Sequence, residues 1–329
     1  MAVAVHVHPE TYAPHWLHEE SADWSETNCY VDVVIELLNV LGHDPVAALG
    51  FTLRMDLEAD QFTFFKYRHA DLEAFYGLEI IETNPWTTVV DQVAAEVDAG
   101  RVPLIEVDSY FLPDTAGTAY QLSHVKTTIA VLAIDVSEPS IVYAHNRSIH
   151  RVSGADARGL LSAADTAASF LPPYIETVRI GGAPTVARRD HHGYAIALLR
   201  AHMVRVPEQN PYARFRTRFE KDLDRLAEGG MPFFHSYAFA TFRQFGAASS
   251  LAAAHLDWLG DGDESLREPF GEASVALRQI SQGARTLQLR CARTAMTGKR
   301  VDATSHFDAF ERNWEIAIGL VRNVAASSK

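Results

Sequence analysis

The hydrophobic pattern of this chain changes along its length, and the change limits the folds it can adopt. Up to about residue 150, short runs rich in Val and Ile recur between turn-forming Pro, Gly and Asp, and they predict strands. From about residue 191, apolar residues recur at helical spacing in one segment after another. The pattern predicts an α+β chain. A domain with a helix packed on an antiparallel sheet occupies 20–150, a connector 151–190, and an all-helical domain 191–326.

The individual elements follow from the same periodicities. Residues 28–42 form the clearest amphipathic helix of the first half, with Gly42 placed to end it. Further helices are expected at 69–77, 86–99 and 156–170, and strands at 51–55, 61–66, 102–107, 126–135 and 140–145. Short polar breaks divide the second half into helices at 191–204, 211–228, 233–259, 263–296 and 303–326.

Charge and cysteine content narrow the classes of function. The 329 residues carry a net charge of -13, which repels phosphate backbones and anionic membrane surfaces, so neither nucleic acid nor a membrane is an expected partner. There are only two cysteines, the N-terminus lacks a signal-peptide pattern, and no apolar run is long enough to span a bilayer. These features predict a cytoplasmic protein without a disulfide framework.

Cys29 is the first candidate for chemistry because it lies at the start of the helix predicted at 28–42. The partial positive charge and unpaired N–H groups of a helix N-terminus favour a thiolate, which is the reactive form of cysteine. The same N–H groups can stabilise an oxyanion on a bound carbonyl. The alternative is that Cys29 is a small buried apolar residue, which is the usual fate of a free cysteine.

Two strands supply the other candidates. His124 directly precedes the strand at 126–135 and could act as the base, while Asn146 or His145, at the end of the next strand, could orient it. The order of cysteine on a helix, histidine at a strand and an orienting residue after the next strand is that of papain-like enzymes. Asp108, followed by Tyr110, could bind a substrate amine or orient His124.

The sequence contains no motif that predicts a bound metal or cofactor. His6 with His8, and His191 with His192, have no third ligand at suitable spacing, so no metal site is predicted. The chain contains no glycine-rich dinucleotide motif, no P-loop and no serine-hydrolase elbow, and no cofactor is expected.

Several segments resemble an uncharacterised bacterial family known as a domain of unknown function: NCYVDVVIELLNVLGHDPVAALGFT, NPWTTV, GRVPLIEVDSYFLPDT, HVKTTIAVLAID, YAHNRS and, in the second half, FRQFGAASSLAAAHLDWL. That family is distantly similar to the N-terminal domain of the butirosin-biosynthesis acyltransferase. This enzyme resembles a papain-like thiol enzyme that moves an aminoacyl group from a carrier protein to an amine. The resemblance implies a papain-like first domain in which Cys29 is the nucleophile.

The resemblance also shows where this chain departs from the pattern. In acyltransferase-like proteins a histidine abuts the apolar strand, and here Thr127 or Thr128 takes that place, which leaves His124 as the nearest base. There is no glutamine upstream of Cys29 of the kind that completes a papain-type oxyanion hole, so Asn28 could donate there instead. The departure makes the identity of the base the central question.

Three functions remain open at this point. The first is an acyl or aminoacyl transferase in which Cys29 takes an acyl group from a carrier-protein thioester and passes it to a small amine. The second is a cysteine amidase or peptidase with water as acceptor, and the third is a silent papain-like scaffold that binds a carrier or ligand. A basic row in the helical half could dock an acidic carrier, namely Arg214, Arg216, Arg218 and Lys221. The sequence leaves a homodimer open.

Overall fold

The computed structural model describes residues 1–19, 24, 26–170 and 175–327. The chain is α+β, with an antiparallel sheet and its helices first and an all-helical region after them, which confirms the predicted fold class. It divides into two compact units. The sheet unit comprises 1–45 and 68–187, and the helical unit comprises 46–67 and 188–329. Residues 46–67, expected within the first domain, therefore belong to the helical unit.

The strands along the chain are β1 (Ala2–Val3), β2 (Leu57–Glu58), β3 (Gln61–Phe62), β4 (Glu79–Thr83), β5 (Arg101–Asp108), β6 (Lys126–Asp135), β7 (Ser140–His145), β8 (Ser148–Ser153) and β9 (Ile175–Arg179). The helices are α1 (Cys29–Val40), α2 (His69–Tyr76), α3 (Val89–Asp98), α4 (Gly154–Phe170), α5 (His191–Met203), α6 (Pro211–Ala238), α7 (Gln244–Gly262), α8 (Glu264–Thr297) and α9 (Thr304–Ser327).

The strands of the sheet unit are antiparallel and follow the order β4-β9-β5-β6-β7-β8, with β1 paired to β6. β5 pairs with β6 from Leu104 opposite Ala130 to Asp108 opposite Lys126. Beyond this ladder the Ser109 amide donates to the Val125 carbonyl over 2.9 Å. The chain just before β6 therefore continues in line with the strand.

The two faces of this sheet carry different side chains, because successive residues of a strand point to opposite faces. Odd-numbered positions such as Val107, Ile129 and Val131 lie in the apolar core with side chains of α3 and α4. Each fully buried aliphatic side chain of this kind contributes roughly 1.5–3 kcal/mol. The other face carries Thr128, whose hydroxyl contacts Cys29 at the start of α1. The candidate residues are therefore divided between two sides of one sheet.

The helical unit is built around aromatic side chains. The β2–β3 hairpin contributes the buried Phe62, whose ring centroid lies 5.1 Å from that of Phe215 and 4.8 Å from that of Phe245. The strand predicted at 51–55 is wrong, because a 3₁₀ helix spans Pro45–Arg54. Residues 46–53 are all buried and apolar except for Thr52, and such a run has no alternation that separates helix from strand. Within the described part of the chain, no helix is both long and apolar enough to cross a membrane.

Candidate active site

Cys29 is the first residue of α1, as the sequence predicted. The preceding Asn28 is buried and caps the helix, because its side-chain oxygen accepts from the Val31 amide over 3.2 Å. Asn28 thus fixes the point at which the helix begins, which aligns the first N–H groups of α1. The sulfur is half-buried, and its S–H donates to the Thr128 hydroxyl over 3.7 Å. Among the described residues, Thr128 is its one hydrogen-bond partner.

Thr128 lies on β6, next to the sulfur, where the resemblance expects a histidine. A threonine hydroxyl can hydrogen-bond a thiol, but it does not take up a proton near neutral pH as an imidazole does. Thr128 therefore cannot serve as a general base beside the thiol.

His124 forms a compact group with Asp108 and Tyr110. Its Nδ1–H donates to the Asp108 carboxylate over 2.6 Å, and its ring stacks on Tyr110 with centroids 4.5 Å apart and planes 14° apart. The other Asp108 oxygen accepts from the Tyr110 amide over 3.0 Å. Of the two predicted roles for Asp108, this geometry is that of orienting the imidazole. The His124 Nε2 has no hydrogen-bond partner among the described residues, and the side chain is 72% exposed.

The His124 group and Cys29 lie on the same face of the sheet but do not hydrogen-bond to each other. Residues 124, 126 and 128 are alternate positions of one extended line, and Lys126 between them is ion-paired to Glu106. Four residues of extended chain span about 13 Å, so the His124 backbone is far from Thr128. The polar side chains of Thr128, Lys126 and His124 thus lie in a row on one face of the sheet, from the Cys29 thiol to the exposed His124–Asp108 pair.

His145 lies elsewhere, in a buried cluster that faces the apolar core. Its Nδ1–H donates to Asp114 over 2.5 Å, and its Nε2 is hydrogen-bonded to the Thr127 hydroxyl at 2.8 Å. Tyr143 donates to the other Asp114 oxygen over 2.5 Å, and His150 lies 3.9 Å from the same carboxylate. Burial disfavours the charged carboxylate, but His145, His150 and Tyr143 outweigh it and hold the pKa of Asp114 below its usual value.

Asn146 occupies the two-residue turn between β7 and β8 and has a φ of 50°, in the left-handed region that asparagine tolerates better than most residues. Its side chain makes no hydrogen bond with His124 or with any other described residue. The structure therefore gives Asn146 a part in the turn and does not bring it to the imidazole.

Sequence reasoning missed Asp114 and named Thr127 only as a departure from the pattern, although both complete the surroundings of His145. Asp114 belongs to a short 3₁₀ helix at Pro113–Thr115, and 31 residues separate it from His145. No local spacing signals such a contact. The paired threonines at the start of β6 were the one available signal, because the resemblance already marked them as the departure from the pattern.

A second buried cluster attaches the N-terminal arm to α1. His18 lies 2.5 Å from Glu36 through Nδ1 and 3.2 Å from Asp32 through Nε2, and all three side chains are buried. Burial opposes protonation, but the two carboxylates outweigh it and raise the pKa of His18 to about 9. The cluster holds the arm beside the helix that begins at Cys29.

The second cysteine has a different environment. Cys291 is completely buried in α8, and burial raises its pKa to about 12, so it stays protonated and unreactive at neutral pH. Among the described residues, no group of three or more His, Cys, Asp and Glu side chains could hold a metal ion.

Comparison with known proteins gives a family but no activity. The DUF1839 N-terminal domain model matches residues 13–180, and the DUF1839 C-terminal domain model matches residues 189–323. No curated protein matches the sequence. Since the two models together account for most of the chain, the protein belongs to the DUF1839 family.

Proposed function

We propose that this protein is a thiol acyltransferase that moves an acyl or aminoacyl group from a carrier-protein thioester to a small amine. The observation that carries the proposal is the half-buried Cys29 sulfur at the first position of a capped helix. The N–H groups of that helix end can favour the thiolate and stabilise the oxyanion formed when the thiolate attacks a carbonyl. Cys291 is the less suitable nucleophile, because its side chain is completely buried and a substrate cannot reach it.

The reaction has two balanced steps. The Cys29 thiolate attacks the thioester carbonyl, and the bond to the donor sulfur breaks, so the donor leaves as a thiolate. The amine then attacks the acyl-cysteine, the bond to the Cys29 sulfur breaks, and the amine nitrogen loses a proton to a base. The product is an amide, Cys29 is left as the thiolate, and the protonated base returns to its free form by passing the proton to the released donor thiolate.

His124 is our choice for that base. Asp108 fixes the imidazole through Nδ1, and Nε2 has no partner among the described residues, which is the orienter–base arrangement of a catalytic triad. No hydrogen bond joins His124 to Cys29, and the four extended residues from His124 to Thr128 span about 13 Å. In this proposal His124 therefore takes its proton from the amine, directly or through one water, and does not act on the Cys29 thiol. The row of polar side chains formed by Thr128, Lys126 and His124 ends at the exposed His124. An incoming amine would therefore contact His124 before it reaches the acyl group on Cys29.

Three of the four residues in the basic row of the helical unit have acidic partners, which argues against this row as the docking surface for the carrier. Arg214 is paired with Asp56, Arg216 with Asp308 and Glu311, and Arg218 with Asp222. Acidic groups already neutralise these arginines, so they offer little net attraction to an acidic partner. A small thioester donor should therefore be tested beside a carrier-bound one.

A specific observation favours a second candidate, the silent scaffold. Thr128, and not a histidine, contacts the Cys29 sulfur. A scaffold that had lost its base would still bind a thioester or an amine without transferring the acyl group. Hydrolysis differs from transfer only in the acceptor, and product analysis separates the two.

The experiment measures amide and free acid formed from aminoacyl carrier protein and from a small aminoacyl thioester, each with and without an added amine. We expect amide in the presence of amine, and a loss of at least roughly 10³-fold for Cys29→Ala. Cys291→Ala is the matched control and should keep its rate. Free acid without any amide would indicate a hydrolase, and binding without either product would indicate the scaffold.

A further inference from the structure

The helical unit contains a cavity of about 180 Å³ at a corner of α6. Its wall includes Arg218, Asp222 and Arg225 from the first part of α6, Phe233 and Tyr237 from the second part, and Asp60 from the β2–β3 turn. The first three recur at helical spacing, so they lie on one face of the helix. The cavity lies entirely within the helical unit and shares no residue with the Cys29 site.

A backbone irregularity creates this corner. Gly230 has a φ of 62° and a ψ of -162°, a conformation that only glycine adopts readily, and it joins two helical pieces within α6. At Gly229 a Cβ atom would lie 2.6 Å from the Cβ of Phe233, so the close turn also requires glycine there. A π-helical segment, Phe239–Arg243, follows directly, and such segments occur frequently at functional sites.

The charges around the cavity are unevenly paired. Asp222 accepts from Arg218 over 2.8 Å and lies 3.7 Å from Arg225, so one carboxylate serves two guanidinium groups. Arg225 also covers the Phe233 ring at 4.9 Å from its centroid. The Asp60 side chain has neither an ion pair nor a hydrogen bond among the described residues. The cavity thus offers the Arg225 guanidinium, which shares Asp222 with Arg218, and the Asp60 carboxylate, which interacts with Arg218 only beyond ion-pair distance.

Tyr237 adds a hydroxyl to the cavity wall. The residue is only 9% exposed, and burial together with the neighbouring Asp222 carboxylate raises the pKa of its hydroxyl far above the usual value, so the hydroxyl stays protonated. It can therefore accept a hydrogen bond from a polar ligand atom while its ring contacts the ligand side chain.

We propose that this cavity binds a small zwitterion of the α-amino acid type. The ligand carboxylate would pair with Arg225, its ammonium with Asp60, and a polar atom with the Tyr237 hydroxyl, while Phe233 and the Tyr237 ring contact its side chain. A cavity of roughly 150 Å³ accommodates a benzene-sized molecule, so the volume suits a free amino acid and not a peptide. This inference stands whether or not Cys29 transfers an acyl group.

The test is a thermal-shift screen of the standard amino acids at millimolar concentration, followed by calorimetric titration of those that stabilise the protein. For each binder, the amide lacking the carboxylate and the N-acetyl form lacking the ammonium are titrated as well. We expect at least one amino acid to bind, and both derivatives to bind roughly ten- to a hundredfold more weakly, the cost of losing charge-assisted contacts.

Substitutions in the cavity wall test whether the amino acid binds in this cavity. Arg225→Gln and Asp60→Asn should each weaken it by a similar factor, and both positions are largely solvent-exposed, so folding should be unaffected. Arg312→Gln, an exposed arginine of α9, is the matched control and should change nothing. The inference is overturned if no amino acid binds, if phosphate alone binds as well, or if binding is indifferent to either substitution in the cavity.

Discussion

Two histidine–aspartate pairs in the sheet unit share one geometry but lie in opposite environments. In His124–Asp108 and in His145–Asp114, Nδ1 lies 2.6 Å and 2.5 Å from the carboxylate. The His124 side chain is 72% exposed, whereas that of His145 is 1% exposed. The His124 Nε2 has no hydrogen-bond partner among the described residues, whereas the His145 Nε2 is hydrogen-bonded to the Thr127 hydroxyl.

Under the proposed function the two pairs have different tasks. An exposed ion pair contributes about 0–1 kcal/mol to stability, so we expect little folding stability from His124 with Asp108, and the proposal gives this pair a role in turnover. A buried pair cannot reach a substrate, but removing one partner leaves an uncompensated polar group or charge in the core. Loss of the exposed pair should therefore affect turnover, and loss of the buried pair should affect stability.

The largest expected effect is on turnover in His124→Ala. Loss of a general base typically costs 10²–10⁴-fold in rate, and we expect a loss in that range with an unchanged melting temperature. The measurement is amide formation with saturating thioester and amine. His6→Ala removes another exposed histidine and serves as the control. An unchanged rate in His124→Ala would show that His124 is not the base.

The next effect is on stability in Asp114→Asn. The substitution removes the charge that His145 and Tyr143 surround in the core, and we expect the free energy of unfolding to fall by about 3 kcal/mol. Urea unfolding followed by circular dichroism measures it. A loss below about 1 kcal/mol would mean that the buried pair is no more costly to break than an exposed one, and the contrast between the two pairs would fail.

The buried His18 should make the stability of the protein depend on pH. Its pKa of about 9 in the folded protein exceeds its usual value of 6.5, because Asp32 and Glu36 face it from α1. The stabilisation is therefore complete below about pH 6.5 and is lost as the pH rises toward 9. We expect the free energy of unfolding to fall by up to about 3 kcal/mol across that window. A His18→Gln variant should lack this slope, and an equal slope in the variant would refute the assignment.

The smallest stability effect is expected for Asp108→Asn. The carboxylate is paired with an exposed imidazole, so the free energy of unfolding should change by less than about 1 kcal/mol. Turnover should nevertheless fall, since the imidazole would lose the group that orients it. Parallel unfolding and turnover measurements test the pair of effects. A large loss of stability with unchanged turnover would reverse the roles assigned to the two pairs.

The sequence predicted the fold well where a single periodicity dominates. The strands at 126–135 and 140–145 have the bounds predicted for them, because their β-branched runs end at clear turns. β4 and β9 were missed, since β4 is half-exposed without strict alternation and β9 is only five residues long. The assignment of residues 46–67 to the helical unit depends on long-range packing, which no local pattern encodes.

The candidate site could likewise be predicted where local patterns place its residues, and not where long-range packing does. Cys29 could be placed because capping and helix periodicity are local, and Asp108 lies close enough in sequence to His124 to be proposed as its partner. Strand alternation alone places Thr127 and Thr128 on opposite faces, but the face that each one takes depends on the register of β6 with β5. That register decides which threonine contacts Cys29 and which contacts His145.

The most direct test of the proposed transfer is the intact mass of the Cys291→Ala protein after incubation with an aminoacyl thioester. Acyl transfer through Cys29 predicts one added acyl group, removable by hydroxylamine and located on the peptide that contains Cys29. No added mass, or an acyl group located on any other residue, would contradict it.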